Sequence, residues 1–189
     1  MDRPCSYCGK QMPITARSHA KTCSPGCRKA ASRSRNTPPP ELRKLARWVR
    51  HDDRKRPLQA ASGRYASSTD PSTWTTYSAA LASGHGVGVG FVLNGDGVVC
   101  IDLDHCIADG VIAPWAQAIL DSVDSYAEYS RSGEGIHIFG YAQVTAGRRI
   151  RDGRNIEIYG TGRYIAMTCD HVAGRFTLGD ISSITAKER

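Results

Sequence analysis

Three short segments of the sequence each alternate polar side chains with aliphatic ones. They are residues 101–104 (Ile-Asp-Leu-Asp), 135–138 (Gly-Ile-His-Ile) and 155–158 (Asn-Ile-Glu-Ile). Because a β-strand directs successive side chains to opposite faces, the aliphatic residues should face a core and the polar residues the other side. If the three strands share one sheet, three carboxylates and one imidazole gather on a single patch. Its members are Asp102, Asp104, Glu157 and His137.

The carboxylates of this patch need a counter-charge. Asp102 and Asp104 are two residues apart on one strand, so their Cα atoms lie roughly 6.5–7 Å apart. Two like charges at that distance repel by about 2–3 kcal/mol at an effective dielectric constant of 20. Oxygen ligands without a full protein cage suit Mg²⁺ or Mn²⁺, which complete their shell with water and substrate phosphates.

A metal held in this way favours phosphoryl transfer, in which metal ions align the attacking oxygen and stabilise the leaving one. The alternative is a solvated sheet face whose acidic residues are only surface. An EF-hand calcium loop is excluded, since residues 102–107 lack its third ligand and its glycine.

The order of these motifs resembles the archaeo-eukaryotic primase superfamily, above all the bifunctional DNA primase-polymerase domains of phages, plasmids and mobile elements. The likeness runs from about Arg54 to about Val172. The stretches that carry it are residues 98–106, with the Asp-x-Asp pair, 129–137, with Ser-Gly-Glu-Gly-Ile-His, and 156–164, with the lone acid and a later Gly-Arg-Tyr.

The resemblance implies that Asp102, Asp104 and Glu157 bind the catalytic Mg²⁺ or Mn²⁺ ions. It also implies that His137, the fourth catalytic residue, contacts the triphosphate of the incoming nucleotide. Many relatives have Asp where this chain has Glu157, whose side chain is longer by one methylene.

The turn before the histidine strand is a second candidate for phosphate binding. It contains Ser132, Gly133 and Gly135, and its glycines would let backbone N–H groups approach a phosphate closely. An ordinary tight turn is the alternative.

Arginines flank the Glu157 strand on both sides. Arg163 follows a Gly-Thr-Gly turn after the strand and is a candidate for the nucleotide phosphates, because arginine makes bidentate contacts to phosphate. Arg148 and Arg149, in a predicted loop before the strand, are candidates for the nucleic-acid template. Solvated surface arginines are the alternative.

Cysteines near the start of the sequence have the spacing of a zinc site. Cys5 and Cys8 form one pair, Cys23 and Cys27 form another, and turn-forming residues accompany both, which suits a tetrahedral Cys₄ site. The second pair resembles those of small zinc-ribbon modules. About 30 residues with almost no large apolar side chains cannot build a core, and a structural zinc, worth ~10–16 kcal/mol in finger peptides, could replace one. Disulfides, or His19 as one ligand, are the alternatives; disulfides fit poorly with the absence of a signal-peptide pattern and an expected cytosolic enzyme.

Positive charge is concentrated in the first third of the sequence. Residues 1–56 carry 15 Lys and Arg against 4 acidic residues, whereas residues 57–189 carry 10 against 14. The basic segment predicts a nucleic-acid contact, with a solvated basic tail as the alternative. The candidate contacts that follow the second cysteine pair are Arg28, Lys29, Arg33 and Arg35.

The sequence predicts a zinc module at residues 1–36, a Pro-rich linker at 37–40, a catalytic domain at 41–180 and a tail at 181–189. The catalytic domain should be a mixed α/β fold of the α+β type, and the resemblance implies an RRM-like mixed sheet. No transmembrane run appears. The predicted helices are 41–50, 75–82 with its start at Asp70-Pro71, and 114–123; the predicted strands are 84–93 and 98–103, joined as a hairpin by 94–97, and those near 136–140, 155–159 and 164–168.

The resemblance implies a template-dependent nucleotidyltransferase, a DNA primase/polymerase that synthesises or extends primers in phage, plasmid or mobile-element replication. Its partners would be a single-stranded DNA template, nucleoside triphosphates and a separate replicative helicase, in the cytoplasm of a bacterial or phage-infected cell. A weakly catalytic or non-catalytic protein that binds nucleotides or nucleic acid is the first alternative. A metal-dependent nuclease with the same carboxylates is the second.

Overall fold

The computed structural model describes residues 5, 7, 10–18, 20–34, 36–172 and 175–187, with the backbone alone for residues 30–34. Its strands are β1 (Trp48–His51), β2 (Pro57–Leu58), β3 (Gly88–Asn94), β4 (Val98–Asp104), β5 (Ile107–Ala108), β6 (Val111–Ile112), β7 (Ala127–Tyr129), β8 (Ile136–Tyr141), β9 (Arg148–Ile150), β10 (Asn155–Tyr159) and β11 (Thr161–Met167). Its α-helices are α1 (Pro25–Ser34), α2 (Pro40–Arg43), α3 (Tyr77–Ala82), α4 (Pro114–Asp121) and α5 (Ser182–Lys187).

Two antiparallel sheets form the centre of the molecule. The larger has five strands in the order β7-β8-β4-β10-β9, and the smaller has four in the order β11-β3-β1-β2. The predicted α+β fold is confirmed. Each pairing of these strands in the described residues is antiparallel, where the resemblance implied a mixed sheet.

The aliphatic residues of the three alternating segments lie in the core, as predicted. One face of the larger sheet packs with Ala116, Ile119 and Leu120 of α4, which begins at the predicted proline. Fully burying such a side chain stabilises the fold by about 1.5–3 kcal/mol. The residues of the three segments with 0% exposure on this face are Ile101, Leu103, Ile136, Ile138, Ile156 and Ile158.

The opposite face of the larger sheet is covered over only part of its length. Val98 and Cys100 of β4, Phe139 of β8 and Tyr159 of β10 are buried in a second core, shared with the smaller sheet. Further along β4, the side chains on this face are the half-buried acids. The acidic patch therefore lies where the smaller sheet ceases to cover the larger one.

The predicted hairpin between β3 and β4 is wrong. The two strands belong to different sheets, and the turn at residues 94–97 carries the chain from one sheet to the other. The buried guanidinium of Arg47 holds this turn by donating hydrogen bonds to the side chains of Asn94 and Asp96, at 3.0 Å from the Oδ1 atom of Asp96. An Asn-Gly turn between two apolar strands indicates a tight reversal but does not determine whether the strands pair.

The predicted helix over residues 41–50 is also wrong. Helix α2 ends at Arg43, and β1 begins at Trp48, which pairs with Phe91 of β3 and is completely buried. The apolar residues recur at helical spacing here, which predicted a helix. The pairing with β3 and the burial of the Trp48 ring favour a strand more strongly. The helix predicted over 75–82 begins at Tyr77, with Thr76 as its cap, and Asp70 instead caps a separate 3₁₀ turn at Pro71–Thr73.

The other predicted strands are present, as β3, β4, β8, β10 and β11. Residues 181–189, predicted as a tail, include α5, whose Ile184 joins the main core together with Ile181. The domain boundaries remain predictions. Within the described residues, the structure has no helix of the length and apolar character needed to cross a membrane.

Candidate active site

Each strand of the larger sheet contributes one acidic or basic side chain to a row that crosses the sheet at right angles to the strands. We call it the charged row. Consecutive members of this charged row lie directly opposite each other in the strand register. Side chains opposite each other on one face have Cβ atoms about 4.5–5.5 Å apart, so the row is continuous. In sheet order its members are Glu128 of β7, His137 of β8, Asp102 of β4, Glu157 of β10 and Arg149 of β9.

The carboxylates of Asp102, Asp104 and Glu157 meet at the centre of this face. Each offers an oxygen atom within 4.8 Å of those of the other two. The prediction that these acids and His137 share one sheet face is therefore confirmed. Their roles as ligands and catalysts are the subject of the proposal below.

Asp102 lies between His137 and Glu157 in the charged row. Its Oδ1 atom is buried without a hydrogen-bond partner among the described residues. Burial raises the pKa of Asp102 to about 6, with a further contribution from the charges of Asp104 and Glu157, although His137 opposes the shift. A divalent cation would satisfy the buried oxygen and the repelling charges, and three carboxylates on an open face fit Mg²⁺ or Mn²⁺.

His137 lies between two carboxylates. Its Nδ1 atom is 3.1 Å from Oε1 of Glu128, within hydrogen-bonding distance, whereas Nε2 is 3.7 Å from Oδ1 of Asp102. Burial by itself would lower the pKa of His137, but the hydrogen bond with Glu128 and the charges of Asp102 and Glu128 outweigh it, so that the pKa is raised.

Glu157 is surrounded by cations and a phenol. Its carboxylate accepts hydrogen bonds from the side chains of Arg151 and Tyr159, and Nε of Arg149 lies 3.3 Å from Oε1. Burial would raise the pKa of Glu157, but the Tyr159 hydrogen bond and the two arginines outweigh it and lower the pKa. Arg163 joins the same group, because its guanidinium lies 4.6 Å from the centre of the Tyr159 ring.

Arg148 and Arg149, the candidates for template contact, are neighbours in β9 and face opposite sides of the sheet. Arg149 stands in the charged row, whereas Arg148 is opposite Ile158 and donates a hydrogen bond to the carbonyl of Thr185 in α5 at 2.5 Å. Neighbouring strand residues face opposite sides, so these arginines cannot contact the same stretch of template phosphates through one face.

The turn at residues 130–135 uses its own backbone donors. The N–H groups of Gly133 and Gly135 donate to the carbonyl and the hydroxyl of Ser130, and that of Glu134 lies 3.3 Å from the Ser132 hydroxyl. A Cβ atom at Gly135 would lie 2.8 Å from the carbonyl oxygen of Leu103, so glycine permits close approach to β4. Ser132 is exposed, and its hydroxyl lies 3.0 Å from that of Ser130.

A cavity of about 170 Å³ opens beside the charged row. Asp102 and His137 line it, together with two cations that the sequence reasoning missed, Lys55 and Arg131. Arg131 donates to the backbone carbonyls of residues 52 and 53, at 3.3 and 3.2 Å, and so holds the loop that carries Lys55. Two cations, an imidazole and an adjacent carboxylate cluster that could hold a metal ion suit an anionic ligand such as a polyphosphate.

The sulfur atoms of Cys5, Cys23 and Cys27 lie within 4.8 Å of one another, and the Cys23 N–H donates to the Cys5 sulfur at 3.2 Å. Three thiols in this arrangement fit Zn²⁺. Cys8, the predicted fourth ligand, and His19 are outside the described residues.

Two of the four predicted basic contacts are visible as side chains. Arg28 and Lys29 are exposed on α1. Arg33 is described by its backbone alone, in the same helix, and Arg35 is outside the described residues.

Glu128 is a third residue that the sequence reasoning missed, after Lys55 and Arg131. It is completely buried, which is rare for an ionisable residue, and it sits in a strand of three residues. Residues 126–129 (Tyr-Ala-Glu-Tyr) do place a single acid between apolar residues directly before the glycine turn. That signal could have indicated a fourth strand of the site.

Comparison with known proteins agrees with the motifs. The sequence matches no protein-family model. It is 36% identical over 152 residues to the DNA primase-polymerase of Nitratiruptor phage NrS-1, an alignment that covers 71% of this chain. The chain spans 20% of the length of that phage protein. The chain is thus a relative of a phage DNA primase-polymerase, and the similarity supports the primase-polymerase family that its motifs resemble.

Proposed function

We propose that this chain carries the catalytic centre of a template-dependent nucleotidyltransferase, a DNA primase/polymerase that synthesises or extends primers in phage, plasmid or mobile-element replication. The observation that carries the proposal is the meeting of Asp102, Asp104 and Glu157 beside a cavity lined by cations. The similarity to a phage protein named a primase-polymerase supports it independently.

In the proposed mechanism, Asp102, Asp104 and Glu157 hold Mg²⁺ or Mn²⁺. Such ions activate the primer 3′-hydroxyl and neutralise charge on the transferred phosphoryl group. The chain places Lys55 and His137 on the cavity beside these ligands, where they can orient the triphosphate.

Arginines would balance the remaining negative charge of the substrate. Arg131 lines the cavity, and Arg149 and Arg163 stand on the other side of the carboxylates, around Glu157. Ser132 would contribute a hydroxyl from the exposed turn before β8. Fixed donors of this kind stabilise charge at little reorganisation cost.

The cysteine module would bind a structural Zn²⁺ and present basic residues to a single-stranded template. In this proposal Cys8 completes the ligand set begun by Cys5, Cys23 and Cys27. The module, linker and catalytic domain would span residues 1–36, 37–40 and 41–180. A separate helicase would unwind the duplex, and the reaction would take place in the cytoplasm of a bacterial or phage-infected cell.

Metal analysis tests the zinc assignment. We expect about one zinc per chain in protein purified without chelators, and loss of that zinc in Cys23→Ser, because a site with one ligand removed binds the ion far more weakly. Cys100→Ser, at a buried cysteine outside the module, is the control and should retain its zinc. Zinc-free wild-type protein would contradict the assignment.

A synthesis assay tests the function. Purified protein would be incubated with primed or unprimed single-stranded DNA, Mg²⁺ or Mn²⁺, and separate pools of ribo- and deoxyribonucleotides. We expect metal-dependent lengthening of DNA or new primers, reduced at least about 100-fold in Asp104→Asn because a metal ligand is lost. Asp109→Asn, an exposed acid outside the charged row, is the matched control and should keep wild-type activity.

The same gels separate the proposal from its alternatives. No synthesis by protein that still binds DNA would favour a binding protein without polymerase activity. Shortened DNA would indicate a metal-dependent nuclease.

A further inference from the structure

Glu128 is a buried carboxylate that does not line the cavity beside the charged row in the described part of the chain. An ionised carboxylate is costly to bury and needs several donors. Glu128 has them. The donors and their distances are the Tyr126 hydroxyl at 2.7 Å, the Cys169 N–H at 2.8 Å and the Thr168 N–H at 3.3 Å, and Nδ1 of His137 lies at 3.1 Å.

These four groups divide between the two carboxylate oxygens. Oε2 accepts from Tyr126 and Cys169, whereas Oε1 faces Thr168 and His137. Two of the donors are backbone N–H groups just after β11, so the carboxylate is anchored to a second part of the fold. Its orientation toward His137 is therefore fixed by its surroundings.

The contact determines which nitrogen of His137 faces outward. Because Nδ1 faces Glu128, Nε2 faces Asp102 and the cavity. A carboxylate that accepts one ring N–H of a histidine fixes both the proton on that nitrogen and the orientation of the ring.

We propose that Glu128 is a positioning residue: it accepts the Nδ1–H of His137 and so holds the ring with Nε2 toward the cavity, where an Nε2–H can donate to a phosphate group of the nucleotide. The proposal rests on the nucleotidyltransferase function proposed above. Glu128 acts through His137 and contacts neither metal nor substrate.

Glu128→Gln tests this role with little change in shape. The amide oxygen of the glutamine can accept the hydrogen bonds from Tyr126 and Cys169. The amide NH₂ then faces Nδ1 of His137 and can only donate to it. Long-range ¹H–¹⁵N spectra of labelled protein, with His137→Gln to assign the signals, show which ring nitrogen carries a proton. We expect a proton on Nδ1 in the wild type and its loss from Nδ1 in Glu128→Gln.

Kinetics give the second readout. We expect KM for the nucleotide to rise roughly tenfold in Glu128→Gln, with a smaller change in kcat, because a weakened phosphate contact acts first on binding. In a His137→Gln background the same substitution should add less than a twofold change, since Glu128 then has no histidine to position. Asp121→Asn is the control: its exposed carboxylate lies on α4, 3.6 Å from Arg175, and both readouts should be unchanged.

Each outcome decides the question. An unprotonated Nδ1 in the wild type, which needs no variant, would overturn the proposal even if Glu128→Gln fails to fold. A Glu128→Gln protein whose KM for the nucleotide is within twofold of the wild-type value would also overturn the proposal. If the wild type synthesises no DNA, the nucleotidyltransferase proposal fails, and titration with a nucleoside triphosphate replaces kinetics: weaker binding by Glu128→Gln, with the spectral change, would still support the positioning role.

Discussion

Asp102 and Glu157 face each other across two strands, yet their surroundings shift their pKa values in opposite directions. Burial raises the pKa of Asp102 to about 6, whereas the Tyr159 hydroxyl and two arginines lower the pKa of Glu157 against the effect of its burial. Without a cation, the folded chain therefore holds one stabilised carboxylate and one destabilised carboxylate side by side. The difference follows from hydrogen-bond partners, which Glu157 has and the Oδ1 atom of Asp102 lacks among the described residues.

Asp102→Asn should affect stability and metal binding in opposite directions. In metal-free buffer at pH 7, we expect the free energy of unfolding to rise by roughly 1–3 kcal/mol, because a buried charge beside two like charges is removed. Mn²⁺ affinity should fall at least about tenfold. Urea denaturation and calorimetric titration measure the two effects.

Asp109→Asn, at an exposed position outside the charged row, should change neither quantity in this comparison. If Asp102→Asn were less stable than the wild type in metal-free buffer, the view that the buried charge of Asp102 destabilises the fold without a cation would be contradicted.

If Glu157 holds a metal ion as proposed, Arg151 would compete with that ion for its carboxylate. Exposed ion pairs are worth about 0.2–1 kcal/mol, so Arg151→Gln should tighten Mn²⁺ binding by up to about fivefold. Arg56→Gln, which removes an exposed ion pair with Asp52 instead, should leave Mn²⁺ affinity as in the wild type. Weaker Mn²⁺ binding by Arg151→Gln would show that the arginine supports the cluster rather than competing for it.

At the scale of the elements, the period-two pattern predicted β4, β8 and β10 together with their polar faces. It did so because each strand is long enough to show the alternation and has one fully buried face. β7 and β9, with three residues each, are too short for a pattern, so Glu128 and the row position of Arg149 were missed. β9 carries two arginines typical of a loop, and it is a strand because it pairs with β10.

Gly135→Ala tests how closely β8 must approach β4. The new Cβ atom would lie 2.8 Å from the backbone carbonyl of Leu103, so the two strands must separate or shift. We expect a loss of roughly 1–3 kcal/mol in the free energy of unfolding, as for other overpacked sites, and weaker Mn²⁺ binding as Asp102 moves.

Gly84→Ala is the matched control for this substitution, because no described atom outside the adjoining residues lies within 4 Å of the place that its new Cβ atom would take. Its stability should stay within about 0.5 kcal/mol of the wild type. Equal losses of stability for the two substitutions in urea denaturation would show that the close contact between Gly135 and the Leu103 carbonyl does not require glycine.

At the scale of the whole molecule, the two sheets share a core that ends beside the charged row. The apolar strands were visible in the sequence, but their division between two sheets was not. That division depends on which strands find partners far along the chain, such as β3 with β1 and β11. The buried Arg47, which holds the turn between the sheets, also has no local sequence signal, because a single arginine before a strand is ordinarily exposed.

Arg47→Met should destabilise the junction between the sheets. Its guanidinium is buried, binds Asp96 at 2.9 Å and lies 4.7 Å from the centre of the Phe91 ring. We expect a loss of roughly 1–3 kcal/mol in the free energy of unfolding, because the turn loses its donors while the apolar volume is largely kept. Thermal unfolding measures this loss. Arg43→Met, at an exposed arginine, is the control, and an effect as large there would contradict the assignment.

The charged row draws its members from strands that are neighbours in the sheet but distant in the chain. Asp102 and Glu157 meet only after β10 has paired with β4, and β8 must insert beside β4 before His137 is in place. Contacts between distant parts of a chain tend to form late in folding. A nascent or partly folded chain would therefore lack a complete site for the proposed cation, and an ion bound there would select chains in which these strands have found their register.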